Sequence, residues 1–217
     1  MSELKNTSEK FYEFKGNGYV LFYRFDEEFI RLETFLPESL KNNYCRGIGA
    51  VLYMNYTKSE IGPYEELLFI PGKFYYRGKK NHFISKAYVS TEEAAKFGYE
   101  NWFIPKEKAV FSREPLKNHI ENISTCIENE EVASFEIKRG KIRFRLGTSK
   151  YLSFSLMQLN GEEPVKLNYS GTVTANFAKL TSIRIRPAFF PNIAKFTSLA
   201  VFKMRNFTLR LPKAGKE

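Results

Sequence analysis

One lysine in this sequence stands where an amine could do covalent chemistry. Lys106 follows Pro105 directly, and Trp102, Phe103 and Ile104 precede it. An ordinary lysine amine has a pKa near ~10.4, so only about one molecule in 2,500 carries the neutral nucleophile at pH 7. Burial in an apolar site disfavours the charged form and lowers such a pKa by up to ~3–5 units. The neutral amine attacks a ketone, and loss of water leaves a protonated imine. That imine accepts the electron pair released when a bond two carbons away breaks, whether C–CO2, C–C or C–H. At the surface the same lysine would be a solvated charge, and its spacing alone does not decide between the two.

The second candidate is Glu66. With Glu65 it introduces the apolar run from Leu67 to Ile70, which reads as a buried strand. A carboxylate there is either a strand-end charge or a group turned into a cavity. Other chemistries lack their residues: no G-x-S-x-G, Walker, Rossmann or H-E-x-x-H pattern is present. His82 and His119 sit in no recognisable partner motif, and Cys45 and Cys126 have no metal-type spacing, so no metal site is expected. In a chain without an export signal the two cysteines are expected as thiols.

The elements that must place these groups follow from the pattern. Ser90 and Glu93 form a capping-box pattern that opens a helix, supported by Ala94, Ala95 and Phe97, weakened by Gly98 and ended by Pro105. Asp26 is a plausible N-cap for an earlier helix, with Phe29, Leu32, Phe35 and Leu36 on its buried face and Pro37 as its stop. The run 11–25 reads as strand broken by a turn at Gly16-Asn17-Gly18. Residues 50–56, 67–70 and 82–89 read as strands, and 77–81 as a solvated basic hairpin tip. Segment 112–131 carries Leu116, Ile120, Ile123 and Ile127 at helical spacing, which fits an amphipathic helix or a long loop. From Val132 the pattern predicts a hairpin turning at Arg139-Gly140, then a strand over 151–159 and further strands at 165–175, 179–186 and 198–211.

With 217 residues, 43% of them apolar and 16% aromatic, the chain fits one domain over 1–217, residues 1–10 being a flexible tail. The fold class is mainly β (α+β): an antiparallel, barrel-like curled sheet that hides its edges, with an internal apolar cavity and two or three short helices. No run approaches the roughly 20 apolar residues needed to span a bilayer, and the polar N-terminus shows no signal peptide, so a cytoplasmic protein without a membrane partner is expected. The formal net charge is +10. Lys138, Arg143 and Arg145 alternate with Phe135, Ile137, Ile142 and Phe144, which superficially resembles an RNA-binding surface. One wet face and one core face of an amphipathic sheet explain the same alternation, and no nucleic-acid partner is expected.

Three segments carry a resemblance. FYRFDEEFIRLETFLPESL (22–40), IGPYEELLFIPG (61–72) and AAKFGYENWFIPKEKA (94–109) are similar to the early strand–helix segment, the Tyr-x-Glu strand and the Gly-x-Glu…Pro-Lys segment of the acetoacetate decarboxylase superfamily. They occur in the family's order and cover roughly 90 residues, while the C-terminal half matches only in being β-rich. The resemblance implies a single barrel-like β domain with an apolar cavity. Lys106 would be its Schiff-base lysine and Glu66 an active-site carboxylate, with Tyr64, Glu100 and Trp102 as substrate contacts. It further implies no cofactor, a small keto acid or other small carboxylate as ligand, and a homo-oligomer.

Departures are also visible. Glu107 stands where the family's decarboxylase has a second lysine, and an inward carboxylate there would favour the charged amine. Neighbours in an extended segment point to opposite faces, which would turn Glu107 outward. An arginine usual near the N-terminal strand has no counterpart in Gly16-Asn17-Gly18, and Tyr99 replaces another. The expected function is a cofactor-independent Schiff-base lyase with Lys106 and Glu66 as catalytic residues. The alternative is a non-catalytic protein that binds a small apolar or carboxylate ligand on the same fold.

Overall fold

A computed structural model describes residues 11–147 and 155–213. The polar N-terminal tail and residues 151–154 of the expected 151–159 strand lie outside the described residues, while the rest of that strand is described and is extended from Leu156. The strands are β1 (Phe11–Tyr23), β2 (Gly49–Lys58), β3 (Tyr64–Ile70), β4 (Lys73–Tyr76), β5 (Lys79–Phe83), β6 (Lys86–Val89), β7 (Glu107–Lys108) and β8 (Val110–Pro115). They continue with β9 (Ile120–Ile127), β10 (Glu130–Gly147), β11 (Leu156–Asn160), β12 (Glu163–Leu167), β13 (Ser170–Ile185) and β14 (Ala200–Pro212). Three short helices join them: α1 (Glu27–Glu33), α2 (Glu38–Lys41) and α3 (Glu92–Trp102).

Ten strands form one sheet in the order β7-β6-β3-β2-β1-β14-β13-β10-β9-β8, and a second sheet has the order β12-β11-β5-β4. β7 and β8 end the large sheet on opposite sides, yet only Ala109 separates them in the chain. The sheet must therefore curl until its ends nearly meet, which hides most of its edge. Pairing is antiparallel except for β6 with β7 and β5 with β11.

Period-two alternation sorts the side chains between two faces. Tyr19, Leu21, Val51, Tyr53, Leu67 and Phe69 face the inside of the curl and pack with Ile123, Phe135 and Ile137 from the far strands. The Tyr53 ring lies 6.3 Å from Phe111 of β8, a contact only the curl can make. The residues between them, such as Val20, Leu52 and Leu68, face outward toward the smaller sheet and α3. The lumen is thus packed solid, and the apolar cavity lies against the outer wall of the curl.

Several local expectations give way to tertiary pairing. Gly16-Asn17-Gly18 is no turn: β1 runs straight through it, with a register shift between Gly16 and Gly18 against β14. A Cβ at Gly16 would lie 2.1 Å from the Asn55 carbonyl oxygen, and one at Gly18 2.1 Å from that of Tyr53. Glycine is needed there for close approach of β2. The same holds for Gly140, which sits inside one long β10 rather than between two strands, at a register shift against β13 and 2.7 Å, by its would-be Cβ, from the Phe177 oxygen. Segment 112–131 is neither one amphipathic helix nor a long loop but strand on both sides of a short 3-10 turn at Lys117–His119, because the buried positions alternate as Ile123 and Thr125, and a buried threonine breaks the apolar pattern. The run 82–89 divides between β5 and β6, and so between the two sheets. α1 begins at Asp26, whose Oδ1 accepts from the Phe29 amide at 2.8 Å, but it ends at Glu33. Phe29 and Ile30 are its buried residues, while Leu32 and Phe35 are exposed, Phe35 at φ 55° just past the helix end. No helix among the described residues is long and apolar enough to cross a membrane.

A charged network within the curl ties its halves together. Glu121 of β9 accepts from the Tyr19 hydroxyl and the Lys203 ammonium, each at 2.6 Å, and from the Arg113 guanidinium at 3.0 and 3.2 Å. Burial pushes this carboxyl up, but the hydrogen bonds from Lys203, Tyr19 and Arg113 outweigh it and hold it at about 2 against an ordinary 4.5. A carboxyl depressed in the folded state stabilises fully above its unfolded pKa and loses that contribution as pH falls through the folded one. Stability should therefore decline between pH 4.5 and about 2 by up to about 3 kcal/mol from this group. Thermal unfolding across that range should show a flatter profile for Glu121→Gln than for the parent.

Candidate active site

Lys106 is delivered by the end of α3. Thr91 caps the helix, its hydroxyl accepting from the Ala94 amide at 3.1 Å, whereas Ser90 accepts from the Glu65 amide and ties the segment to β3. At the other end Phe103 adopts φ 55°, and its amide closes on the Tyr99 and Gly98 carbonyls. Ile104 and Pro105 then turn the chain so that Lys106 runs back beneath the helix. Gly98 makes that path possible: a Cβ there would lie 2.5 Å from Lys106 Cε and 3.0 Å from its Nζ.

Glu66 comes from β3, at a position of the cavity-facing register. Lys106 Nζ stands 2.6 Å from Glu66 Oε1, and the two side chains are 5% and 3% exposed. The approach is off the axis of a hydrogen bond, so the contact is one of charges. Glu66 Oε2 accepts from the Tyr56 hydroxyl at 2.9 Å. Burial first, and then the Glu66 carboxylate, push the Tyr56 hydroxyl well above its ordinary value, so it stays protonated and donates. Tyr56 and Tyr64 stack with ring centroids 4.5 Å apart, and Lys106 Nζ lies 6.0 Å from the Tyr64 centroid. Removing the hydroxyl in Tyr56→Phe leaves a buried carboxylate oxygen without its donor. Unfolding in denaturant should register a loss of about 1–3 kcal/mol.

The cavity that receives these groups has a volume of about 500 Å³ and almost wholly apolar walls. Lys106, Glu66, Tyr64 and Trp102 all line it. Trp102 is anchored by its indole N–H, which donates to the Pro212 carbonyl at 2.9 Å. Glu100 does not join them: it lies on the exposed face of α3, 3.8 Å from Lys96, and Tyr99 is exposed beside it. Glu107 points away from the cavity and pairs with Lys86. Of the residues where the family usually has an arginine, Asn17 turns into the lumen and accepts from Arg113 at 2.6 Å. Among the described residues no group of three or more His, Cys, Asp or Glu side chains could hold a metal ion.

Sequence reasoning missed Tyr56, His82 and the role of Gly98. Tyr56 had a signal, since the turn at Ile61-Gly62-Pro63 pairs β2 with β3 and sets Tyr56 opposite Tyr64. His82 reaches the cavity only because β5 belongs to the smaller sheet, which no local pattern reveals. Gly98 reads locally as a weak helix position.

Solved structures share this architecture. Acetoacetate decarboxylase from Legionella pneumophila superposes with a TM-score of 0.66 at 15% identity, over 93% of this chain and 85% of that one. An acetoacetate decarboxylase-like enzyme from Sphingomonas wittichii gives 0.60 at 13%, over 94% and 91%. The enduracididine biosynthesis enzyme MppR, solved in complex with pyruvate, gives 0.60 at 13%, over 94% and 88%. At such identities the likeness speaks for the fold. No curated protein is similar enough in sequence to match. The sequence profile of the acetoacetate decarboxylase family matches residues 2–184, and the chain belongs to that family.

Proposed function

We propose that this protein is a cofactor-independent Schiff-base lyase in which Lys106 forms an imine with a small keto compound, a keto acid being the class its family resemblance implies. One observation carries the reading: the Lys106 amine meets the Glu66 carboxylate at 2.6 Å inside an apolar cavity. Glu66 is placed to take a proton from the ammonium, freeing the lone pair for attack on the carbonyl carbon. Glu66 then returns that proton to the carbonyl oxygen, which takes a second one from the amine and leaves as water, and the protonated imine that forms keeps the Glu66 carboxylate as its counter-charge. Tyr56 holds the carboxylate in place throughout. MppR, of the same fold, was solved with pyruvate, which makes pyruvate a sensible first probe.

The test is chemical trapping. Incubation with acetoacetate or pyruvate and reduction with borohydride should add the ligand to the intact mass, and Lys106→Met should abolish the adduct. The apolar walls equally suit a non-catalytic ligand binder. No adduct with any small carbonyl compound, together with a thermal shift by fatty acids, would establish that second reading instead.

A further inference from the structure

The cavity walls say more about the substrate than the reactive pair does. Among the described lining residues, Lys106 is the only lysine or arginine and Glu66 the only carboxylate, and the two form an ion pair. His82 also lines the cavity, but burial, and then the charge of Lys73, draw it below its ordinary value. No arginine is among the described lining residues. The Lys106 amine is therefore already matched by the Glu66 carboxylate, at 2.6 Å.

Charge accounting through imine formation keeps this balance for one kind of substrate only. Lysine ammonium plus a carbonyl compound gives a protonated imine plus water: the C–N bond forms, the C–O bond breaks, two ammonium protons leave with the oxygen, and the charge stays at +1. With a neutral ketone, the site holds one positive and one negative charge before and after. A free keto acid adds a second carboxylate beside Glu66, between apolar walls and with no second cation among the described lining residues to receive it, which is the costly case.

The shape points the same way. The cavity wall continues from Glu66 along β3 to Leu68 and Ile70, and along β2 from Tyr56 to Ala50. Four residues of strand beyond Glu66 are about 13 Å of wall. This wall is apolar, and it would stay empty above a molecule the size of pyruvate.

We propose that the substrate is an uncharged carbonyl compound carrying an apolar chain, with its carbonyl carbon at Lys106 and its chain along Leu68, Ile70, Leu52 and Ala50. This rests on the imine reading and narrows it: decarboxylation of a free keto acid is the branch it disfavours.

A trapping series tests it. Acetone, 2-pentanone, 2-heptanone and 2-nonanone are reduced onto the protein with borohydride, beside pyruvate and acetoacetate, and adducts are mapped to Lys106. Each buried methylene is worth up to about fourfold in affinity, so the half-saturating concentration should fall roughly two- to fourfold per methylene along the series. The keto acids should need at least about tenfold more than 2-pentanone. In Glu66→Gln, which removes the competing negative charge, the ratio of pyruvate to 2-pentanone trapping should rise by about tenfold or more. Pyruvate or acetoacetate trapping at lower concentration than 2-pentanone, or an unchanged ratio in Glu66→Gln, overturns this inference and leaves the imine reading standing. No adduct with any compound overturns both.

Discussion

Replacing Lys106 by methionine is expected to destabilise the protein by about 3–5 kcal/mol, besides abolishing any trapped adduct. The reason is what it leaves behind. Glu66 is 3% exposed, and its Oε1 has the Lys106 ammonium as counter-charge at 2.6 Å. Removing one partner of a buried pair strands the other charge in an apolar enclosure, which costs more than the pair contributes when intact. For a chain of this size each kcal/mol shifts the melting temperature by roughly 2–4 °C, so a fall of about 6–20 °C should be measured. The double variant Lys106→Met/Glu66→Gln should recover most of it, because the amide removes the charge and still offers an oxygen to the Tyr56 hydroxyl. A single variant as stable as the parent would mean that the pair is well solvated, and the cavity chemistry would lose its basis.

Gly98→Ala is expected to do the opposite: little or no loss of stability, and a loss of imine formation of about 100-fold. Alanine favours a helix interior over glycine by about 0.8–1.0 kcal/mol, and Gly98 has ordinary helical backbone. The new methyl group would meet Lys106 Cε at 2.5 Å and Nζ at 3.0 Å. The flexible end of the lysine gives way at small cost, shifting the amine from its place for attack while it stays paired with Glu66. A displacement of about 1 Å at a reacting atom is enough for the stated loss. Trapping rates and melting curves, measured on the same preparation, separate the two effects. Unchanged trapping would show that the lysine reaches its substrate by another path.

The contrast between these variants also marks what local patterns reveal. β2, β3 and β6 alternate or carry short apolar runs between turn residues, and they are strands as expected. The barrel-like curl follows from the number of strands and the need to hide their edges. Misreadings occurred where tertiary pairing overrode local grammar. Gly16-Asn17-Gly18 and Gly140 have the composition of turns, but there the missing Cβ serves contact with a neighbouring strand. β9 buries Thr125 among other strands, so its face carries too little apolar signal for period two to show.

By itself the sequence determined the class of fold, the lysine at the end of a proline-set turn and the carboxylate strand that precedes it. Those features rest on short-range sterics and on patterning within single segments. Only the tertiary structure decided that Glu66 faces the cavity rather than ending a strand as a surface charge, that Glu107 faces away, and that Glu100 stands on the exposed side of α3. It also put the cavity outside the curl, between two sheets whose strands interleave along the chain. The side a carboxylate faces is a matter of register, and register is set by partners as far away as β14. A residue's neighbours in sequence tell what it is able to do; the strands that pair around it decide what it meets.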